Sequence, residues 1–233
     1  MSNPDPKPAA DDKPSNCQWA VVGPGRFVAC PSTVNTLPKG TYTVNQTERG
    51  LRFKRKEIVT DELVVMENGL HHMVLSEIKI FWASAARYRE YGMLHRRGFL
   101  LHGRQGCGKT CLVHIIAGMA GSEGAVVLMV HSPEVAGAAL ESARLVEPRL
   151  PIVLIMEDID RLCEGNEESL THLLDGQDSV DNVLVLATTN YLAKLPARIR
   201  NRPRRFDLVL DVPLPSEKER AAFLKANQSE DAP

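Results

Sequence analysis

The sequence predicts an α/β fold, in which a parallel sheet lies between layers of helices and follows a small β-rich N-terminal module. Beyond residue 97, apolar strand-like runs alternate with helical patterns, which is typical of a parallel sheet. A glycine-rich turn joins the first of these strands to the first of these helices. Before them, residues 17–64 contain short β-like runs separated by turn residues such as those at 23–25.

The composition describes one ordinary α/β domain with a smaller appendage, since 43% of the 233 residues are hydrophobic. The 28 Lys and Arg residues nearly balance the 29 Asp and Glu residues, so charge gives no overall attraction to nucleic acid or to an anionic membrane. No apolar run approaches the roughly 20 residues that cross a bilayer. Five cysteines without Cys-x-x-Cys spacing argue against a disulfide framework or a zinc cluster and predict a cytoplasmic protein.

Changes in pattern divide the chain into five segments. The predicted segments are a disordered tail (1–16), the β-rich module (17–64), a helical linker (65–96), the core (97–215) and a helix with a tail (216–233). The tail is rich in Pro, Asp and Lys and cannot bury enough apolar area to fold. The linker is predicted to be helical because apolar residues recur at three- and four-residue intervals over 76–91, up to Gly92.

Within these segments the apolar runs give the individual elements. Strands are predicted at 19–22, 26–30, 41–44 and 51–58 in the module, and at 98–102, 125–130, 152–156, 183–187 and 206–212 in the core. Helices are predicted at 109–119 and 133–145. No internal repeat is visible, so we expect a single α/β core.

Residues 103–110, GRQGCGKT, complete the phosphate-binding pattern Gly-x-x-x-x-Gly-Lys-Thr between a strand and a helix. Glycines let backbone N–H groups turn toward phosphate oxygens, Lys109 reaches the terminal phosphates, and Thr110 ligates Mg²⁺. The predicted nucleotide contacts are Gly103, Gln105, Gly106, Cys107, Gly108, Lys109, Thr110 and Cys111. The strand and helix context makes a chance glycine-rich turn a poor alternative. The two cysteines are interpreted as small packing residues rather than reactive thiols.

Acidic side chains follow the strand at 152–156. One carboxylate of Glu157-Asp158 can hold Mg²⁺ through water while the other polarises an attacking water. The alternative is a polar strand end that caps the next helix. After the strand at 183–187, Asn190 ends the polar sequence Thr-Thr-Asn and could orient that water.

Five arginines lie close together before the last strand, at Arg198, Arg200, Arg202, Arg204 and Arg205. A solvated basic face, a contact with nucleic acid and a contact with the γ-phosphate of a neighbouring subunit are all consistent with this cluster. The residues alone leave the choice open.

With these motifs in order, the chain resembles the AAA family of P-loop ATPases over roughly residues 90–220. The resemblance places Glu157-Asp158 at the Walker B position and Asn190 at sensor 1, and makes Arg202 and Arg205 arginine fingers that act on the neighbour's nucleotide. It implies ATP and Mg²⁺ as ligands, and a homo-oligomeric ring, most often a hexamer with a heptamer possible.

Segments before the loop are similar to a particular branch of the family. Phe81-Trp82, YREYG at 88–92 and HRRG at 95–98 resemble the branch that contains the mitochondrial ATPase translocating the Rieske iron–sulfur protein. That branch also carries Glu-Asp in Walker B. The likeness implies that Glu157, with Thr110, holds Mg²⁺ and that Asp158 polarises water.

Three departures limit the resemblance. The chain has no transmembrane helix, and residues 130–138 contain no aromatic residue where many members grip a threaded polypeptide. The predicted helix after residue 216 resembles the first lid helix, and the full C-terminal lid is expected to be missing.

The motifs and the departures lead to three predicted functions. The first is a ring ATPase that remodels or translocates a protein partner bound through the N-terminal module. The second is a nucleotide-gated assembly switch with slow hydrolysis. The third, prompted only by the basic run at 51–56, is a nucleic-acid-associated ATPase, and nucleic acid is the less favoured partner.

Overall fold

The structure is a computed structural model that describes residues 17–31, 33–48, 50–58, 69–175, 181–202, 205–218 and 220–221. The predicted tail at 1–16, the junction at 59–68 and the end of the chain after 221 lie outside these residues. Two compact units divide at Leu37 and Pro38, and each is described by itself.

The described residues form nine strands and seven α-helices. The strands are β1 (Cys17–Gly23), β2 (Arg26–Pro31), β3 (Gly40–Thr47), β4 (Gly50–Lys56), β5 (Arg96–His102), β6 (Val126–Met129), β7 (Ile152–Met156), β8 (Val183–Thr189) and β9 (Leu208–Asp211). The helices are α1 (Gly69–Ala83), α2 (Ala85–Glu90), α3 (Lys109–Ser122), α4 (Pro133–Val146), α5 (Ile159–Cys163), α6 (Glu167–Asp175) and α7 (Ala197–Arg200).

The first unit contains the antiparallel hairpin of β1 and β2, in which Gly23 pairs with Arg26 across a two-residue turn. Gly25 in that turn adopts a φ of 66°, which a glycine takes without steric cost. The turn residues at 23–25 therefore mark the hairpin that the sequence predicts.

The second unit is built on a seven-stranded sheet in the order β4-β3-β6-β7-β8-β5-β9. Each neighbouring pair from β3 to β9 is parallel, and only β4 runs antiparallel to its neighbour. Strands β6, β7 and β8 are buried along their whole length, as expected for central parallel strands covered on both faces. The predicted α/β fold class is confirmed.

The four strands of the predicted β-rich module at 17–64 are divided between two sheets in the structure. Instead of joining the hairpin, β3 pairs in parallel with β6, from Gly40 opposite Val126 to Thr43 opposite Met129. Tyr42 and Val44 are buried in this unit. The segment at 17–64 therefore contributes a hairpin to one unit and two strands to the other.

The predicted linker helix is two helices, α1 and α2, separated at Ser84. Val74, Ile78 and Phe81 lie on one face of α1 and are buried in the core formed by the sheet and α3. The hydroxyl of Ser84 donates to the carbonyl of Phe81 at 2.7 Å, a side-chain bond that competes with helix continuation. Among the described residues, no helix is both long and apolar enough to cross a membrane.

Candidate nucleotide-binding and catalytic site

The glycine-rich loop lies between the end of β5 and the first residue of α3. A Cβ at Gly103 would lie 2.4 Å from the carbonyl oxygen of Val212, so only glycine fits where the backbone after β9 passes this loop. Gly108 has a φ of 94°, a left-handed conformation that turns the backbone into the helix. The loop therefore directs the N-terminus of a 14-residue helix toward the space where phosphates bind in this motif.

Lys109 holds the loop together from inside. Its ammonium donates to the carbonyl of Gly103 at 2.8 Å and to that of Arg104 at 3.1 Å, and the residue is only 7% exposed. Lys109 Nζ also lies 3.5 Å from the sulfur of the buried Cys107. These contacts hold a cation within the loop, so its positive charge already lies beside the predicted phosphate site before polyphosphate binds.

The two residues of the predicted metal site lie in contact. The hydroxyl of Thr110 donates to Glu157 Oε1 at 3.0 Å, which joins the start of α3 to the end of β7. Both side chains offer oxygen, the ligand type that Mg²⁺ prefers, and Mg²⁺ usually completes its shell with water and substrate phosphates. This donor set fits Mg²⁺, although the described residues contain no group of three or more metal-ligating side chains.

Asp158 and Asn190 also meet. Asn190 Nδ2 donates to Asp158 Oδ1 at 2.9 Å, which links the ends of β7 and β8. Asp158 adopts φ 49° and ψ 50°, a left-handed conformation that Asp tolerates better than most residues. Its backbone N–H donates to the hydroxyl of Thr188 at 3.2 Å. The carboxylate is thus held by the side chain that is predicted to orient water.

These side chains surround a cavity of about 540 Å³. Its lining residues are Gln105, Gly106, Gly108, Lys109, Thr110, Cys111, Glu157, Asp158, Thr188 and Asn190. Gly103 and Cys107 of the predicted contacts support the loop from behind rather than line this cavity. Burial raises the pKa of the Cys111 thiol, which disfavours the reactive thiolate and agrees with a packing role.

The predicted arginine fingers lie elsewhere, on a carboxylate of their own chain. Arg205 is 2% exposed and binds Asp175 through Nε at 2.6 Å and Nη2 at 2.7 Å. Arg202 is 61% exposed and reaches the same carboxylate at 3.2 Å. Hydrogen bonding by Arg205 holds the pKa of Asp175 below its usual value. Neither arginine is among the described residues that line the cavity, so their action on a neighbour stays a prediction.

Strand β5 fixes the backbone next to these arginines. A Cβ on Gly98 would lie only 2.0 Å from the carbonyl oxygen of Arg205, so the chain passes directly over this glycine. The N–H of Gly98 donates to Asp207 Oδ2 at 2.8 Å, and the N–H of Asp207 donates back to Gly98 at 2.8 Å. The segment from Arg205 to Asp207 is therefore anchored to β5, the strand that leads into the phosphate loop.

Sequence reasoning did not assign roles to Thr188, Asp160 or Asp175. Thr188 lies in the polar end of β8, and the alternation of side chains along a strand places it on the same face as Asn190, beside the cavity. Asp175 is 30 residues from Arg205 in sequence, and no local pattern signals their contact.

Comparisons with known proteins match the part of the chain that carries this site. The family model described as "ATPase family associated with various cellular activities (AAA)" matches residues 99–214. The chain is 35% identical over 158 residues to a proteasome-activating nucleotidase of Aeropyrum pernix, covering 59% of this chain and 38% of the relative. It is 29% identical over 164 residues to the mitochondrial chaperone BCS1 of Danio rerio, covering 62% and 38%.

A third relative is the ATP-dependent zinc metalloprotease FtsH of Acidothermus cellulolyticus, 33% identical over 174 residues and covering 66% of this chain but 26% of the relative. The chain therefore spans between a quarter and two fifths of the length of these relatives.

Proposed function

Because residues 99–214 make this chain a member of the AAA family of ATPases, we propose that it is a subunit of a ring that uses Mg²⁺-dependent ATP hydrolysis to remodel or translocate a protein partner. One observation carries the proposal. The contacts of Thr110 with Glu157 and of Asn190 with Asp158 lie at the same edge of the sheet, around a single cavity.

Each residue has a separate task in the proposed hydrolysis. Loop amides and Lys109 bind the phosphates, and Thr110 and Glu157 are the residues that would bind Mg²⁺. Mg²⁺ held there would supply positive charge that offsets the negative charge developing on the phosphate oxygens. Asp158 polarises the attacking water, and Asn190 fixes the orientation of that carboxylate.

Among the described residues that line the cavity, Lys109 is the one cationic side chain, and a ring would add the further positive charge that stabilises the γ-phosphate during hydrolysis. In a ring, Arg202 and Arg205 supply that charge to the neighbour's nucleotide. Arg202 is 61% exposed and holds the Asp175 carboxylate through one bond at 3.2 Å, whereas the buried Arg205 holds it through two shorter bonds. We therefore expect Arg202 to make the larger contribution in an assembled ring.

A second candidate function, the nucleotide-gated assembly switch, is favoured by the segment after β6. Ser132 caps α4 by accepting from the N–H of Val135 at 3.3 Å, and Pro133 opens the helix. Residues 130–138 contain no aromatic side chain with which to grip a polypeptide. A ring with this segment can change shape on binding ATP without threading a substrate.

The steady-state ATPase rate per subunit, measured against protein concentration, tests the proposal. We expect the rate to rise as subunits assemble and to fall about 100-fold or more in Arg202→Ala. Arg52→Ala, which removes an exposed arginine from β4, is the matched control and should retain the wild-type rate.

Other outcomes of this experiment assign the other functions. ATP-dependent assembly with almost no turnover would favour the switch. Stimulation by DNA or RNA would favour the nucleic-acid-associated ATPase. A concentration-independent rate that Arg202→Ala leaves unchanged would contradict a site shared between subunits.

A further inference from the structure

We infer that Thr189 and Asp160 form a buried latch that positions Asn190 against Asp158 for hydrolysis. This inference rests on the proposed function, because it assigns two positioning residues to the same site. Neither side chain is among the described residues that line the nucleotide cavity. Both act through a residue that does line it.

Thr189 lies on the face of β8 turned away from the cavity. Successive side chains of a strand point to opposite faces, so Thr188 and Asn190 face the nucleotide side while Thr189 faces the other. Thr189 is 0% exposed, and the cavity includes Thr188 and Asn190 but not Thr189. A direct contact between Thr189 and nucleotide is therefore excluded by its placement.

The hydroxyl of Thr189 makes two bonds, one of which joins the ends of β7 and β8. It donates to Asp160 Oδ1 at 2.6 Å and accepts from the backbone N–H of Tyr191 at 3.0 Å. Asp160 is 5% exposed and stands two residues after Asp158, at the start of α5. The latch thus fastens the residues on both sides of Asn190 to the acidic turn.

A second tie on the cavity side completes the arrangement. The backbone N–H of Asp158 donates to Thr188, while the Asn190 side chain donates to the Asp158 carboxylate. Without the Thr189 bond, Asn190 would keep its chemistry but lose one of the contacts that fix its backbone. Displacement of a catalytic contact by about 1 Å can cost up to about 100-fold in rate.

The test compares Thr189→Val with the wild-type chain, since valine keeps the shape and removes the hydroxyl. We expect kcat to fall about tenfold or more while the Kd for ATP changes less than about threefold. Thr171→Val is the matched control, because the buried hydroxyl of Thr171 has no hydrogen-bond partner among the described residues. That control should keep the wild-type kcat.

The decisive measurement repeats Thr189→Val in an Asn190→Ala background. If Thr189 acts through Asn190, the second substitution lowers kcat less than about twofold further. An undiminished tenfold loss in that background, or wild-type kcat in Thr189→Val, would overturn the latch.

If Thr189→Val does not fold, Thr189→Ser and Thr189→Ala provide the same comparison, since they differ only by the hydroxyl. The latch requires serine to retain most of kcat and alanine to lose it, and equal rates for the two variants would refute it. A wild-type chain that hydrolyses no ATP refutes the proposed function and the latch together. Normal turnover in the wild type and in Thr189→Val refutes the latch alone.

Discussion

At the scale of single residues, the Glu-Asp order in the acidic motif assigns different contacts to the two carboxylates. Glu157 accepts from Thr110, which is a predicted metal ligand, while Asp158 accepts from Asn190. The longer side chain of Glu157 therefore reaches the start of α3, and the shorter side chain of Asp158 contacts the residue that follows β8. This separation agrees with the roles that the family resemblance implies for them.

Asp158→Asn is expected to keep ATP binding and to lower kcat by about 100-fold or more, because the amide cannot polarise water as a carboxylate does. Asparagine also tolerates the left-handed conformation at this position, so the backbone should persist. The Kd for a fluorescent ATP analogue and single-turnover hydrolysis measure the two effects separately. Full turnover in this variant would move water activation to Glu157 or elsewhere.

Much of the site could be predicted at this scale because its residues follow strands. Glu157 and Asn190 directly follow strands, while Lys109 and Thr110 begin the helix that the loop joins to β5. The carboxyl ends of parallel strands meet at one edge of a sheet. The bonds of Thr189 and Asp175 could not be predicted, since each joins residues about 30 apart whose local patterns carry no mark of their partner.

At the scale of elements, the existence of strands was predictable from apolar runs, while the pairing partners of the strands were not. Strand β7 has the predicted bounds of 152–156 because its apolar run is continuous. Strands β2 and β3 have similar short patterns, yet they belong to different sheets. Strand pairing depends on tertiary contacts that propensity does not record.

The basic run at 51–56 has an explanation in the position of its strand. It forms β4, at the edge of the seven-stranded sheet, and Arg52, Lys54 and Lys56 are exposed. Charged side chains on an edge strand oppose pairing with another chain. This position favours a solvated edge over the contact with nucleic acid that the sequence leaves open.

The contact between α6 and the arginine segment predicts a pH-dependent contribution to stability. Arg205 lowers the pKa of Asp175 in the folded chain. The Asp175 carboxylate therefore stabilises the fold above its ordinary pKa of 3.8, and this contribution is lost as pH falls through the lower folded-state value. Asp175→Asn should reduce the free energy of unfolding by about 2 kcal/mol at pH 7.

Urea denaturation at pH 7 and at pH 3 measures this contribution, and the difference between the wild type and Asp175→Asn should shrink at the lower pH. Glu167→Gln is the matched control, because Glu167 pairs with the exposed Arg198 and should contribute little. A difference between the wild type and Asp175→Asn that is the same at both pH values would contradict the ion-pair explanation.

At the scale of the whole molecule, the family and the ATPase class predicted from the motifs are confirmed by the match at residues 99–214. The candidate nucleotide site lies within the unit that starts at Pro38, whereas the hairpin of β1 and β2 lies in the other unit. Partner recognition through the hairpin and catalysis in the second unit are therefore proposed to be separable.

Two truncated chains test this division. A chain of residues 38–233 keeps β3 and β4, so it should fold, bind ATP and hydrolyse it within about threefold of the rate of the 233-residue chain. A chain of residues 65–233 lacks both strands and exposes the edge of β6, whose backbone groups pair with β3 in the intact sheet. It should melt at a lower temperature and aggregate, because an open apolar edge pairs with other chains.

Circular dichroism melting, size-exclusion chromatography and the Kd for ATP compare these chains with the 233-residue chain. The 65–233 chain loses the buried side chains of Tyr42 and Val44 as well as the β3 ladder. Equal melting temperatures for the two truncated chains would contradict a stabilising role of β3 and β4 in the seven-stranded sheet. If the 65–233 chain melts at a lower temperature and the 38–233 chain does not, the boundary between the two units lies at residue 38, because β3 completes the sheet that carries the nucleotide site.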